Sequence, residues 1–568
     1  MLSPLRDWTL HFAFVGIVQL TLTWVNLVSK EVPEPYLDEF FHVPQAQKYC
    51  IDDYSWDPKI TTPPGLYIVS KVLRPLLGCD TSALRFLNTV ASWLIVPLCY
   101  GILRRIHSHK DESQHGDKTE TSPNDLTLGR NLRRQLDAHS AANIALFPPL
   151  ISFSALYYTD LISTLLVLLS YFVYLSKDST HGSFGWNVQT ISIGIAALFF
   201  RQTNIFWVAI FPAGLALVDA LKQTAGPLAT SPADVSLAAF RNSWSGGMVY
   251  DCSLQNAAPQ DYVLFFLSLS LAALKRPILV LKAVLPYLVL LVLFAGFVAW
   301  NGSVVLGDRS AHTATIHVPQ MLYIWPYIAF FSLPLLLGPL LKPVLHVLPR
   351  QIQSMYHSNT PRSHRFALLD LVVPAGFLVG GLAAVHYNTI IHPYTLADNR
   401  HYVFYIFRII RRHSLTRYLA VPIYATTAWL AMRALHAPDT DTAATAAQPE
   451  HLPRQETHSR SACRVSFVVV WLGATALSVV SAPLVEPRYF ILPWIMWRLH
   501  LPHAPCTPRP RRSSSNDNDN NSSKPAYDLR LFLETLWLLG IDAVLGYVFL
   551  YRTFTWANEP GKLQRFIW

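Results

Sequence analysis

Residues 278–300 read ILVLKAVLPYLVLLVLFAGFVAW, an apolar run that contains one charged residue, Lys282. An α-helix needs about 20 apolar residues to cross the hydrocarbon core of a bilayer, so this run predicts a transmembrane helix. Similar runs recur from one end of the chain to the other. The sequence therefore predicts an all-α polytopic membrane protein with short lumenal loops, in which residues 1–568 form a single transmembrane domain with polar inserts.

The composition agrees with this class. Of all residues, 52% are hydrophobic and only 14% are charged, whereas an ordinary soluble domain carries about 25% charged residues. A soluble protein of this length would need a far more polar surface, so a soluble fold is excluded.

We predict about 13 transmembrane helices from the apolar runs. The first is expected to be retained rather than cleaved as a signal peptide, because no small-residue cleavage site follows it. The predicted spans are 8–29, 82–103, 139–158, 161–176, 187–200, 204–221, 278–300, 321–341, 366–388, 416–436, 464–485, 489–502 and 528–552. The stretches 66–77, 262–275 and 401–412 are expected to lie at the membrane interface.

Four polar inserts separate these runs, at 104–137, 222–260, 437–463 and 503–527. The first is rich in arginine and lysine, and the positive-inside rule places it in the cytoplasm. Alternation of spans then puts all four inserts on the cytoplasmic side. The first loop, residues 30–81, falls on the lumenal side with the other compact loops and the residues after the last span.

The first loop is the segment richest in residues that could carry chemistry. Residues 35–67 read PYLDEFFHVPQAQKYCIDDYSWDPKITTPPGLY, with Asp38 and Glu39 adjacent and His42 four residues on. A carboxylate partly desolvated at a membrane surface can act as a general base. The alternative is structural, because acidic residues in the first turn of a helix are stabilised by the helix dipole.

Other features of this loop have two interpretations as well. Trp56 and Asp57 precede a proline-rich stretch that is typical of a rigid turn, either architectural or part of a site. Cys50 and Cys79 could form a disulfide in an oxidising lumen, or remain two unpaired thiols.

Arginine and histidine residues mark two further predicted lumenal segments. Arg201 lies at the end of a span, where it could bind a phosphate or extend its charged group to the interface. His312 and His317 suggest a metal site, but a spacing of five suits a single helical face poorly and no metalloprotease-type motif accompanies them. We therefore predict no metal, and favour sugar contacts or a packed loop.

Two polar clusters complete the lumenal set. Asp398, Asn399 and Arg400 lie together beside a span, which is costly unless they face water or a substrate. Glu486 and Arg488 lie at another membrane boundary, either as a structural ion pair or with the arginine binding a lipid phosphate.

Several of these segments together resemble one known family. PYLDEFFHVPQAQKYC and WDPKITTPPGLY in the first loop, RQTNIFW (201–207), HPYTLADNRHYVFY (392–405) and EPRYF (486–490) are similar to the dolichyl-phosphate-glucose α-1,2-glucosyltransferases. The resemblance implies a GT-C-type enzyme of the endoplasmic reticulum membrane whose active site faces the lumen. Its donor would be dolichyl phosphate glucose and its acceptor Glc2Man9GlcNAc2-diphosphodolichol, the precursor that receives its last glucose before N-glycosylation. Membrane lipid is an expected partner; no nucleic acid and no cofactor are expected.

The resemblance also assigns site residues. It carries catalytic roles onto Asp38 and Glu39, its motif around them continues onto His42, Gln45 and Gln47, and its other segments place substrate contacts at Trp56, Asp57, Arg201, Asp398, Asn399, Arg400, Glu486 and Arg488. His312 and His317, outside these segments, remain candidates for substrate contacts from their residue types alone. The chain departs from the family pattern at Leu37, where methionine is more usual, and between Cys50 and Trp56, where it is shorter and lacks a glycine.

A β-linked donor and an α-linked product require inversion, for which one carboxylate base suffices. We expect Asp38 to be that base, with Glu39 the second candidate. The departing phosphate needs positive charge, and the candidates are Arg488, Arg400 and Arg201, in that order. A related mannosyltransferase is the first alternative. A transporter or channel-associated protein is less favoured, because the ionisable residues gather at the ends of spans.

Overall fold

The computed structural model describes residues 8–111, 123–177, 183–225, 235–308, 315–356, 369–390, 393–436, 463–482, 484–503, 527–557 and 559–568. Within these residues almost all regular structure is helical. The helices of the first part are α1 (Trp8–Glu31), α2 (Glu39–Cys50), α3 (Gly65–Leu77), α4 (Thr81–Asp111), α5 (Pro123–Ala145), α6 (Pro148–Ser154), α7 (Asp160–Leu175), α8 (Ser183–Leu198) and α9 (Phe211–Ala225).

The helices of the second part include several short ones. They are α10 (Val235–Gly246), α11 (Pro259–Lys275), α12 (Pro277–Asn301), α13 (Gln320–Phe331), α14 (Leu333–Leu336), α15 (Gly338–Leu341), α16 (Arg350–Tyr356), α17 (Leu369–Asn388), α18 (Pro393–Ala397), α19 (Tyr402–Arg411), α20 (Thr416–Ala434), α21 (Val465–Val479), α22 (Ile491–Leu499) and α23 (Arg530–Tyr551). Two strands, β1 (Phe554–Trp556) and β2 (Glu559–Gln564), form an antiparallel hairpin after α23.

Among the described residues, five helices are long and apolar enough to cross a membrane: Trp8–Glu31, Thr81–His107, Gln202–Thr224, Pro277–Asn301 and Arg530–Tyr551. Shorter apolar helices accompany them at Asp160–Leu175, Val372–Asn388 and Val465–Val479. The predicted all-α membrane class is confirmed. The count of about 13 spans remains a prediction.

Two predicted spans are interrupted by prolines. The run 139–158 is split where α5 ends at Ala145 and α6 begins at Pro148. The run 321–341 is divided among α13, α14 and α15, and the last two each have proline in their first turn. Proline lacks the amide N–H that a continuous helix needs, so it begins a helix more readily than it continues one.

The C-terminal segment lies against the first loop. The Tyr36 hydroxyl donates to the Arg565 carbonyl at 2.6 Å and accepts from the Arg565 amide at 2.7 Å. The Ile567 amide donates to the Arg400 carbonyl at 2.9 Å. The C-terminal segment and the first loop therefore share one face of the molecule. We call it the first-loop face.

A disulfide closes the first loop. Cys50, at the end of α2, is bonded to Cys79, just before α4, with 6.6 Å between their Cα atoms. The sequence left open whether these cysteines form a disulfide or remain two unpaired thiols, and the structure shows the disulfide. The bond joins the segment that carries Asp38 to the start of a long apolar helix.

Replacing both Cys50 and Cys79 by serine is expected to lower the free energy of unfolding by about 3–4 kcal/mol, because the bond closes a loop of 29 residues. Thermal unfolding of the purified protein in detergent measures the difference. In the wild-type protein, thiol labelling at these two positions should appear only after reduction. Labelling of both without reductant would contradict the pairing.

Candidate active site

The chain makes a sharp turn immediately before Asp38. Leu37 has φ of 52°, in the left-handed region that non-glycine residues seldom adopt. Helix α2 then begins at Glu39. Conformations of this kind cost free energy and concentrate at functional sites, where surrounding contacts hold them in place. Here the turn directs the adjacent carboxylates of Asp38 and Glu39 into different surroundings.

Asp38 is the accessible member of the pair, with 41% of its side chain exposed. Its Oδ2 accepts a hydrogen bond of 2.8 Å from Arg488 Nη1. Its amide donates to the Tyr158 hydroxyl at 3.3 Å. The carboxylate is thus fixed on one side and open on the other, as a group that receives a proton from a substrate must be.

Arg488 lies at the centre of the cluster. Its Nε and Nη2 donate to Glu486 Oε2 at 3.0 and 2.8 Å. Nη1 lies 3.9 Å from Asp160 Oδ2, and the guanidinium carbon lies 5.7 Å from the centroid of the Tyr158 ring. Only 14% of the side chain is exposed, so its charge is weakly screened by water.

A second arginine is joined to this cluster through Asp160. Arg201 Nη1 lies 3.1 Å from Asp160 Oδ1, and Arg201 Nε donates to Thr159 Oγ1 at 3.2 Å. Asp160 is 1% exposed. The structure therefore brings together residues from four segments that are far apart in the sequence: Asp38, Asp160, Arg201, and the neighbours Glu486 and Arg488.

The electrostatic environment keeps Asp38 ionised. Partial burial raises the pKa of Asp38, but the adjacent Arg488 guanidinium outweighs that effect and holds the pKa below its ordinary value. At neutral pH the side chain is therefore a carboxylate, the form that accepts a proton.

His42 lies in the same environment, one helical turn along α2. Its Nδ1 is 2.6 Å from the Tyr67 hydroxyl. Burial lowers the pKa of His42, against the opposing effect of the Asp38 carboxylate. The ring is therefore neutral at pH 7, with one nitrogen donating a hydrogen bond and the other accepting one.

Glu39 points into the protein and is fully buried. Arg85 Nε and Nη2 donate to its two carboxylate oxygens at 2.9 and 2.6 Å. The amides of Tyr36 and Tyr157 donate to the same carboxylate at 2.9 and 2.6 Å. Both oxygens are occupied by protein donors, so the group ties the first loop to α4 and to the chain before α7.

Gln45, Trp56 and Asp57 brace the first loop. Gln45 Nε2 donates to the Ser55 carbonyl at 2.8 Å, and the Asp57 amide donates to Gln45 Oε1 at 3.1 Å. The Trp56 ring packs edge-on against Tyr67, with 5.9 Å between centroids. These residues hold the turn that follows α2 beside the ring that contacts His42.

A second polar cluster borders the first and is held by the C-terminal hairpin. Arg400 Nη2 donates to Asp398 Oδ2 at 2.7 Å and its Nη1 to Gln564 Oε1 at 3.1 Å. Asn399 Oδ1 accepts from Trp556 Nε1 at 2.8 Å. The Arg400 carbonyl accepts from the Ile567 amide, and Arg565, in the same C-terminal segment, is bonded to Tyr36 just before Asp38, so this cluster lies beside the first.

Of the two predicted histidines between α12 and α13, only His317 is described, and no hydrogen bond within the described residues joins it to these clusters. His312 lies outside the described residues. His317 is fully buried, and burial lowers its pKa to about 4. Its amide donates to the Val480 carbonyl at 2.9 Å. The ring is therefore neutral, in a packed loop.

Sequence reasoning missed Asp160, Tyr158 and Tyr67. A signal existed for the first two, since Tyr158, Thr159 and Asp160 occupy a short predicted lumenal segment directly before an apolar run. For Tyr67 there was none, because a tyrosine in an interfacial helix has no pattern that distinguishes it. In the part of the chain that the structure describes, the one group with metal-ligand geometry is His107, Asp137 and His503, which lies elsewhere.

Comparison with known proteins bears on this cluster. The model of the DIE2/ALG10 family matches residues 32–499, which include Asp38, Asp160, Arg201, Glu486 and Arg488. Proteins named Dol-P-Glc:Glc(2)Man(9)GlcNAc(2)-PP-Dol alpha-1,2-glucosyltransferase are similar over nearly their full length. That of Emericella nidulans is 39% identical, covering 96% of this chain and 96% of its own. That of Aspergillus fumigatus is 38% identical, covering 98% of each.

More distant proteins are similar too. The protein of the same name from Rattus norvegicus is 31% identical, covering 95% of this chain and 94% of its own. The apo structure of the Archaeoglobus fulgidus oligosaccharyltransferase matches at 12% identity and a TM-score of 0.28, covering 86% of this chain and 56% of that chain. A score this low carries no argument about the fold.

Proposed function

Because the chain belongs to the DIE2/ALG10 family, we propose that it transfers glucose from dolichyl phosphate glucose, in α-1,2 linkage, onto Glc2Man9GlcNAc2-diphosphodolichol. The enzyme is a multi-pass membrane protein. A GT-C-type architecture, location in the endoplasmic reticulum and a first-loop face turned to the lumen belong to the same proposal. The observation that carries it is an exposed carboxylate, Asp38, held beside the arginine of the EPRYF segment.

Inversion at C1 of glucose requires a single displacement. The 2-hydroxyl of the acceptor glucose attacks C1, its proton passes to a base, and the bond from C1 to the phosphate oxygen breaks. Asp38 is suited to be the base because it is 41% exposed and ionised, whereas Asp160 is 1% exposed and Glu39 is fully buried. A base must reach the proton it accepts.

The leaving group is dolichyl phosphate, which gains negative charge as the bond breaks. Arg488 is placed to stabilise that charge, since Glu486 and Asp38 fix its guanidinium and its burial strengthens the interaction. Arg201 is joined to Arg488 through Asp160. The contacts therefore support Arg201 as the second cation, ahead of Arg400, which pairs with Asp398 and Gln564.

Glu39 is better suited to position Asp38 than to take a proton. Its oxygens are already occupied by Arg85 and by two backbone amides. Since Asp38 precedes Glu39 in the chain, anchoring Glu39 also fixes the backbone of Asp38. His42 has a neutral ring next to Asp38, and we assign it a hydrogen bond to a sugar hydroxyl.

The transfer is proposed to use no metal, because guanidinium groups supply the positive charge that the phosphate needs. Transfer in the presence of EDTA, without added Mg²⁺ or Mn²⁺, is expected to proceed at the full rate. Loss of activity that either ion restores would overturn this part of the proposal.

The test of the function is a transfer assay in microsomes with synthetic dolichyl phosphate glucose. The diglucosylated lipid-linked acceptor should gain one glucose, whereas an acceptor that already carries three should gain none. Dolichyl phosphate mannose, offered in parallel, should not be used. No transfer of glucose would reject the substrate assignment, and transfer of mannose instead would favour the related mannosyltransferase.

A further inference from the structure

The face opposite the first loop carries a group of side chains that the glucosyltransferase reaction does not use. Helix α4 begins near Glu39, to which its Arg85 is bonded, and continues past His107. Arg85 and His107 are about 33 Å apart along this helix, which rises about 1.5 Å per residue. His107 therefore lies on the far side of the molecule from Asp38.

Three separate segments meet there. His107 comes from α4, Asp137 from α5, and His503 from the chain that follows α22. His107 Nδ1 lies 2.7 Å from Asp137 Oδ1, and His503 Nε2 lies 3.1 Å from the same oxygen. The potential ligand atoms all lie within 4.8 Å of one another. Two imidazoles and a carboxylate thus converge on one point.

The site is sheltered from solvent. The side chains of His107 and His503 are 9% and 10% exposed, and that of Asp137 is fully buried. The other oxygen of Asp137 accepts a hydrogen bond of 3.2 Å from Arg104 Nη1. Hydrogen bonds of this kind orient a carboxylate ligand and are typical of the surroundings of protein metal sites.

We propose that His107, Asp137 and His503 bind one Zn²⁺ ion, with water as the fourth ligand. Two nitrogens and one carboxylate oxygen are a zinc ligand set, whereas Mg²⁺ and Ca²⁺ prefer oxygen ligands only. Tetrahedral bonds of about 2.0–2.2 Å place ligand atoms about 3.3–3.6 Å apart. The present separations of 2.7 and 3.1 Å need to widen by less than about 1 Å to admit the ion.

The ion would crosslink α4, α5 and the segment after α22 at the face where the polar inserts begin. It lies too far from Asp38 to take part in the transfer of glucose. Its expected effect is therefore on the stability of this end of the helical domain.

The experiment uses the full-length protein, purified in detergent and stripped of metal by prolonged dialysis against a chelator. Zinc is then added, free ion is removed, and bound zinc is counted by mass spectrometry. We expect one ion per chain and a rise of several degrees in the temperature of unfolding, which Mg²⁺ does not produce. His503→Ala should lose both effects, while His346→Ala, at an exposed histidine elsewhere, should keep them.

A second variant separates a metal site from a hydrogen-bonded cluster. His503→Cys removes the imidazole but supplies a thiolate ligand, so it should still bind one ion, and Co²⁺ should give the absorption band of a cobalt–thiolate bond. If wild type retains no zinc, or if zinc stabilises wild type and His503→Ala equally, the proposal is overturned. It is also overturned if the cobalt–thiolate band is missing from folded His503→Cys.

Discussion

Asp38→Asn is expected to lower the rate of glucose transfer by about three orders of magnitude or more. The amide has nearly the same shape as the carboxylate but does not accept a proton from the attacking hydroxyl. Its oxygen can still accept the hydrogen bond from Arg488. Because Asp38 is 41% exposed, the fold should tolerate the change, and the temperature of unfolding should stay close to that of wild type.

The matched control is Asp53→Asn, a change in the same loop. Asp53 is exposed, and its oxygen accepts from the Ser55 amide, a bond that asparagine can also accept. This variant should transfer glucose at the wild-type rate. Both variants are assayed at equal amounts of folded protein. A near-normal rate for Asp38→Asn would leave the enzyme assignment intact but move the base elsewhere.

Glu39→Ala is expected to lower the free energy of unfolding by about 3–5 kcal/mol, whereas Asp38→Asn should lower activity and leave stability unchanged. The alanine would leave the guanidinium of Arg85, which is 1% exposed, without its carboxylate. It would also remove the acceptor for the amides of Tyr36 and Tyr157. A buried, uncompensated charge is among the few causes of so large an effect.

Thermal unfolding in detergent and the yield of folded protein measure this loss. Glu34→Ala is the control, because Glu34 is an exposed carboxylate five positions earlier whose removal should change stability by less than about 0.5 kcal/mol. Folded Glu39→Ala should still catalyse slow transfer, since the base is Asp38. A variant as stable as wild type and yet inactive would show that Glu39, rather than Asp38, takes the proton.

The helical class was predictable because lipid leaves a chain few options: every backbone polar group must be paired inside the segment. Apolar runs such as 278–300 therefore correspond closely to helices, here Pro277–Asn301. The runs 139–158 and 321–341 were each predicted as one span, although the structure divides them into several helices. Hydropathy does not register the missing N–H of proline, which decides where a helix stops.

The site was predictable only as a set of separate loops. Asp38 and Arg488 form one ion pair across 450 residues, and nothing in the spacing of either motif encodes that contact. The sequence analysis ranked Asp38 above Glu39 as the base, but it did not predict that the two neighbours lie in different surroundings. They differ in the structure because the left-handed turn at Leu37 sends one to the open side and the other towards Arg85.

The contact between Tyr36 and Arg565 spans 529 residues. At roughly 5–20 residues per second, the ribosome needs about half a minute to two minutes to deliver the second partner after the first. The Cys50–Cys79 bond, by contrast, joins residues 29 apart, and both are available within seconds. During synthesis the first loop can thus be covalently closed long before the C-terminal hairpin arrives to cover it. The nascent chain would therefore pass through a stage in which the disulfide-closed first loop is folded but still exposed, because the C-terminal hairpin has not yet been synthesised.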